Sequence, residues 1–181
     1  MWTLQTPDPV KLIVGILASD EACLTCARDA ITKQFGSIDR VSEVWPFTQT
    51  EYYNREMGTG ILRQFVTMDR LMDPGRLAQI KHTANEIEQA LSQTLQHQWP
   101  RPVNLDPGYI EPSKLVLAST KNFSHRIYIG DRMFAEVTLV VDRGQWSPMR
   151  YTFPDYRQSS YWTFFEQARL RLKEQLKSYP D

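Results

Sequence analysis

No stretch of the 181 residues is apolar for long enough to cross a bilayer. The longest strongly apolar run, 12–18, falls far short of the roughly 20 residues that a spanning helix needs, so no membrane partner is expected. Net charge is absent as well. Twenty-one Lys+Arg balance 21 Asp+Glu, so nothing global draws the chain to nucleic acid or anionic lipid, and any affinity for phosphate has to be local. The N-terminus MWTLQTPDPVK lacks the basic start, long apolar stretch and small-residue cleavage site of a secretory signal, which sets a cytoplasmic expectation. Only two cysteines occur, expected to be reduced there, and no disulfide framework is needed. A single domain spanning 1–181 buries roughly 70% of the surface that its unfolded chain exposes. Neither G-x-x-x-x-G-K-[ST] nor G-x-G-x-x-G is present, and the glycine pair Gly58 and Gly60 precedes a strand where those loops precede a helix. The three histidines make no H-E-x-x-H, and no second C-x-x-C completes a zinc set.

What is there reads as alternating elements. VKLIVGILA at 10–18 is a nearly unbroken β-branched and aliphatic run, the pattern of a central strand covered on both faces. Ser19 and Asp20 then offer N-cap side chains for a helix over about 20–35, with Cys23, Ala27, Ala30 and Ile31 at helical spacing and Gly36 as its stop. A strand near 38–45 and a loop over 48–60 follow. In the next strand, 61–71, Arg63 shares a face with Ile61 and Phe65, which places it at a sheet end or in a pocket. Asp73 and Pro74 open a long helix whose Leu77, Ile80, Ala84, Ile87, Leu91 and Leu95 form one stripe, leaving Lys81 on the solvated face. WPRP at 99–102 ends it. Strands at 115–120, 125–129 and 133–141 read as a meander, and a last helix carries Tyr161, Phe165, Ala168, Leu172 and Leu176 on one stripe. The expected fold is α+β, a split-βαβ (ferredoxin-like) sandwich whose sheet is extended by the meander and followed by a C-terminal helix.

Two constellations carry chemistry. Cys23 and Cys26 form a C-x-x-C at a helix start, the setting of thiol-disulfide exchange, but the same spacing suits two small residues facing the core. The stronger one lies between Ser119 and Tyr128, where Lys121, Asn122, His125, Arg126 and Tyr128 are nearly all donors able to hold an anion. Alternation sets Arg126 and Tyr128 on one strand face and His125 on the other, and places Ala135, Val137, Leu139 and Val141 on one face of the next strand, with Glu136 and Thr138 opposite. Glu136 can then meet Arg126 across the hairpin, as an exposed ion pair or as part of a polar pocket. Glu56, Asp106 and Asp155 add carboxylates in or beside turns, Asp-Pro-Gly being a strong turn former, and this set of oxygens would suit Mg²⁺ beside a phosphate-bearing substrate.

EMG at 56–58 with Arg63, NLDPGY at 104–109, LASTKN at 117–122, HRIYIG at 125–130, AEVTL at 135–139 and TFPDY at 152–156 together resemble a prokaryotic domain-of-unknown-function family, four-four-one-six. The blocks run in order over nearly the whole chain. Members tend to read TYPDY where this chain has Phe153, a difference of one hydroxyl. The family has no established reaction, so the resemblance implies one pattern and transfers no catalytic roles. The residues themselves favour a site for a small phosphate-bearing ligand of the nucleotide kind. Arg63, Asn104, Lys121, Asn122, His125, Arg126 and Tyr128 are its ligand contacts, and Glu56, Asp106, Glu136 and Asp155 its metal or acid/base groups. The alternative is a non-catalytic module that binds another protein or a second copy of itself through the meander. RNA binding on Tyr128 and Phe134 is disfavoured by the neutral charge.

Overall fold

Val10–Ala18 (β1) lies inside a nine-stranded sheet, and every residue of it is buried, as its unbroken apolar run predicts. The computed structural model describes residues 3–179. After β1 come Glu21–Phe35 (α1), Ile38–Val41 (β2), the short Trp45–Pro46 (β3), one helical turn Asn54–Met57 (α2), Leu62–Met72 (β4) and Leu77–Thr94 (α3). Val103–Glu111 (β5), Lys114–Ser119 (β6), Ile127–Gly130 (β7), Met133–Asp142 (β8), Gln145–Pro148 (β9) and Ser159–Lys177 (α4) complete the chain. The sheet order is β2-β4-β1-β5-β6-β8-β7, with β3 beside β4 and β9 beside β8. Its first four positions, with α1 and α3 as crossovers, are the split βαβ unit. The later strands extend it as an antiparallel meander, and the fold is α+β. Among the described residues no helix is long and apolar enough to cross a membrane.

Period two divides the sheet into two packed faces. Leu12, Val14 and Ile16 of β1 pack with Ala27 and Ile31 of α1 and with Ile80, Ala84 and Leu91 of α3. On the other face Ile13, Phe65, Leu115 and Leu139 meet Tyr161, Phe165, Ala168 and Leu172 of α4. Lys11 breaks the apolar run on that second face. It is fully buried, with Nζ donating to Met68 O (2.9 Å) and Gln175 Oε1 (2.8 Å) and lying 2.7 Å from Asp39 Oδ2, so a charged group ties α4 to the sheet. Burial lowers its basicity against the opposing pull of Asp39.

The segment read as an Asp-Pro-Gly turn is instead the middle of β5. Residues 103–110 pair continuously with β1, whereas pairing with β6 covers only Gly108 to Glu111. Beyond Gly108 the two strands part, and α3 stands in for the missing neighbour. Lys81 Nζ donates to Leu105 O at 2.8 Å, and Glu88 Oε1 accepts from Leu105 N at 2.8 Å. Lys81, expected on the solvated face, is therefore buried. Pro107 presents the same strand edge as Leu105, two residues on, and has no N–H to leave unpaired, so the ladder can stop there at little cost. Gly108 permits close approach, since a Cβ at that position would fall on the Val116 carbonyl oxygen.

Two expectations in the meander also change. β7 begins at Ile127, so strand alternation does not reach His125 and Arg126. In β8 the register slips by one residue, Leu115 facing Leu139 but Val116 facing Val137, which leaves Thr138 as a bulge. Ala135 and Val137 consequently pack with Leu77 on the α3 face, while Leu139 and Val141 pack with α4. Glu136 opposes Leu117 and shares the α4 face with it.

Candidate functional site

The parting of β5 from β6 leaves a cavity of about 570 Å³. Its walls come from β4, β5, β6 and β8, the segment 47–53, and the segment that carries Phe153, Asp155 and Tyr156. At its floor lies Arg63, 2 % exposed. Nη2 donates to Asp155 Oδ2 at 2.7 Å and Nη1 stands 3.6 Å from Asp106 Oδ2. The rings of Phe47, Phe65 and Tyr156 surround the guanidinium at 5.3, 5.3 and 5.6 Å from their centroids. Burial alone would weaken the Arg63 charge, but Asp155, the Tyr156 phenol and Asp106 more than offset it and hold the group protonated. Asp155 moves upward from the ordinary aspartate range, because burial, aided by Asp106, outweighs Arg63. Arg63 Nε and Nη1 and the Tyr156 hydroxyl make no hydrogen bond among the described residues. Burial pushes the Tyr156 phenol well above its ordinary value, so it is a neutral donor.

The far wall is built around Glu136, which is buried. Its Oε2 accepts from Arg126 Nε at 2.8 Å and meets His125 Nε2 at 3.1 Å, and its Oε1 accepts from Thr138 Oγ1 at 3.1 Å. The Arg126–Glu136 pair is thus no solvent-exposed cross-strand contact: the Arg126 side chain is 9 % and that of Glu136 2 % exposed. His125 stacks on Tyr151 with ring centroids 4.1 Å apart. Nearer the mouth, Arg101 binds Glu88 (2.8 Å) and Asn104 (2.5 Å), and Asn104 Nδ2 donates to Asp106 Oδ2 at 2.9 Å. Lys121 Nζ donates to the Tyr52 hydroxyl at 2.9 Å across the opening.

Arg63, Asn104, Asp106, Lys121, Arg126, Glu136 and Asp155 therefore line one cavity, although they come from five segments of the chain. His125 stands behind Glu136, and Glu56 binds Arg101 (3.4 Å) from outside the lining. Asn122 is exposed, and Tyr128 lies on β7 against Phe134, away from the cavity. Sequence reasoning missed Gly15, Lys81, Arg101 and the aromatic lining of Phe47, Tyr52 and Tyr53. Gly15 had a signal, being a lone glycine in a buried strand, a mark of close approach. A Cβ there would stand 2.9 Å from both Arg63 Nη1 and the Tyr156 hydroxyl oxygen.

The carboxylates do not form an open oxygen cage. Asp155 is held by Arg63, Glu136 by Arg126, Glu56 by Arg101, and Asp106 by Asn104 and Arg63, so a Mg²⁺ bound by them would have to displace these donors. Asp20, Cys23 and His97 do approach one another elsewhere, their ligand atoms within 4.8 Å. There His97 Nδ1 accepts from Trp99 N (3.2 Å), so Nε2 carries the proton that faces Asp20, the wrong tautomer for a metal ligand. Burial, with Asp20 adding to it, pushes the Cys23 thiol up to about 12, against metal binding and thiol exchange alike. Cys23 packs in the core instead, with Cys26 beside it.

No curated protein and no solved structure matches the chain. The family described as a domain of unknown function, DUF4416, matches over residues 8–171, and the chain belongs to that family.

Proposed function

We propose that the cavity binds a small phosphate-bearing molecule of the nucleotide class, its anionic end at the mouth. One observation carries this. Of the lining cations, Arg63, Lys81, Arg101 and Arg126 each have a carboxylate beside them, whereas Lys121 at the mouth has no carboxylate partner among the described residues. An anion entering the mouth meets the Lys121 charge together with Arg126, whose Nη2 makes no hydrogen bond among the described residues. Phe47, Tyr52, Tyr53 and Phe153 supply the apolar walls, and the volume suits a ligand of this size. Mg²⁺ enters with the phosphate rather than on a protein cage. The chain acts as a single domain, since one sheet carries the whole cavity, and its two free thiols suit a cytoplasmic setting. In thermal-shift measurements with ribose 5-phosphate and a nucleotide panel, with and without Mg²⁺, ligands of this class raise the melting temperature. Lys121→Ala weakens binding about ten-fold while leaving the unliganded protein as stable as before. No shift with any phosphate-bearing ligand sinks the proposal.

A second reading rests on the opposite edge of the sheet. β7 ends the strand order, and Phe123, Ile127 and Tyr128 beside it are 65, 71 and 59 % exposed. An unpaired edge with apolar side chains is a template for strand addition by a second copy. Sedimentation at rising concentration then shows a dimer that Ile127→Asp removes. A protein that stays monomeric at every concentration excludes this reading.

A further inference from the structure

The cavity floor carries hydrogen-bonding atoms that nothing in the fold uses. Arg63 and Tyr156 are each 2 % exposed, yet Arg63 Nη1 and the Tyr156 hydroxyl have no partner among the described residues. Both converge over Gly15, each 2.9 Å from the point where a Cβ would stand. A buried donor left unpaired weakens the fold, so both are suited to an acceptor brought from outside the chain. Asp106 lies alongside, with Oδ2 3.6 Å from Nη1 and held by Asn104. Its Oδ1 accepts nothing among the described residues and can take a proton donor.

Charge decides which acceptor fits. Arg63 contributes one positive charge, and Asp155 and Asp106 one negative charge each, so the floor is net negative and would repel a second anionic group. The incoming acceptor is therefore a neutral oxygen, and Asp106 asks for an N–H next to it. A carbonyl flanked by N–H is the lactam or imide edge shared by uracil, thymine, guanine and hypoxanthine. Cytosine and adenine present an amino group and an unprotonated ring nitrogen instead.

We propose that Arg63, Tyr156 and Asp106 read the carbonyl and N–H edge of a keto nucleobase at the floor of the cavity. The two donors hold the carbonyl oxygen and Asp106 accepts from the ring N–H, while the base lies beside Phe47 and Tyr53. The proposal rests on the reading of the cavity as a site for a phosphate-bearing ligand, whose phosphate stays at Lys121.

Calorimetric titration of the full chain with UMP, GMP, CMP, AMP, uridine and ribose 5-phosphate tests it. UMP and GMP bind at least about ten-fold more tightly than CMP and AMP. Asp106→Asn, whose amide can donate to an unprotonated ring nitrogen, turns the pyrimidine preference toward CMP, a change that lost folding would not produce. Equal affinity for all four nucleotides and ribose 5-phosphate overturns the inference and leaves the phosphate reading standing, and a preference for CMP and AMP in the unaltered protein overturns it too. Uridine binding as tightly as UMP upholds the keto edge and removes the phosphate from the reading. No binding by any of the six overturns both.

Discussion

Arg63→Met is expected to cost about 3–5 kcal/mol of folding stability near neutral pH. The substitution fills much the same volume, so the loss comes from leaving Asp155 buried without the guanidinium now 2.7 Å away. Asp155→Leu leaves the buried guanidinium with only Asp106, 3.6 Å away, and costs a comparable amount. Replacing both together, Arg63→Met with Asp155→Leu, recovers most of it, because a buried ion pair exchanged for apolar groups is close to neutral. Urea denaturation of the four proteins closes the cycle, and additive losses would show that the two residues do not act as a pair. The pH dependence has a definite sign. Asp155 already has its folded pKa raised by burial, so its own contribution is fully present below the unfolded aspartate value, about 3.9, and is lost as pH rises through the folded value. Removing Arg63 takes away the influence that lowers it and raises the folded value further. The Arg63→Met deficit is therefore small in acid and full near neutrality, and a deficit independent of pH would contradict the pairing.

Arg63 also shows why much of the cavity lining is legible in the chain. A cation between Ile61 and Phe65 on one strand face breaks a pattern set by local periodicity, as do Glu136 and Thr138 inside AEVTL, and an interruption of that kind needs a buried partner. The elements are legible for the same reason: the stripes of α1, α3 and α4, the Asp20 cap and the run of β1 are encoded within a few residues each. What escapes is set by contacts distant in sequence. Lys81 reads as solvated because its partner is the Leu105 carbonyl on another element, and Lys11 is hidden among aliphatic neighbours because Met68 and Gln175 lie far along the chain. The Thr138 bulge depends on register against β6, and Asp-Pro-Gly extends into β5 only because β1 pairs with it continuously while α3 satisfies its other edge. Turn propensity is local and yields to that pairing.

Gly108→Ala is expected to cost at least about 3 kcal/mol, or to prevent folding altogether, whereas Gly15→Ala yields a folded protein with a damaged cavity. The difference lies in what each new methyl meets. At Gly108 the nearest atom is the Val116 carbonyl oxygen, followed by Leu117, in the segment where β5 and β6 are still paired. A main-chain oxygen cannot rotate away, so β6 would have to separate from β5, and the strands that follow depend on it through β8. At Gly15 the methyl meets the ends of two side chains, the Arg63 guanidinium and the Tyr156 hydroxyl, each at 2.9 Å, and the edge of the Phe65 ring at 3.1 Å. Arg63 can give a few tenths of an ångström by rotation about its long stem, at an overpacking cost of about 1–3 kcal/mol. The displaced atoms are the two unpaired donors of the floor, so binding at the proposed site is expected to suffer more than folding does. Circular dichroism with thermal melting separates the two variants, and titration of Gly15→Ala with the nucleotide panel completes the comparison. A stable Gly108→Ala would mean that the β5–β6 pairing is looser than its register implies, and undiminished binding by Gly15→Ala would mean that ligand does not reach Arg63 and Tyr156.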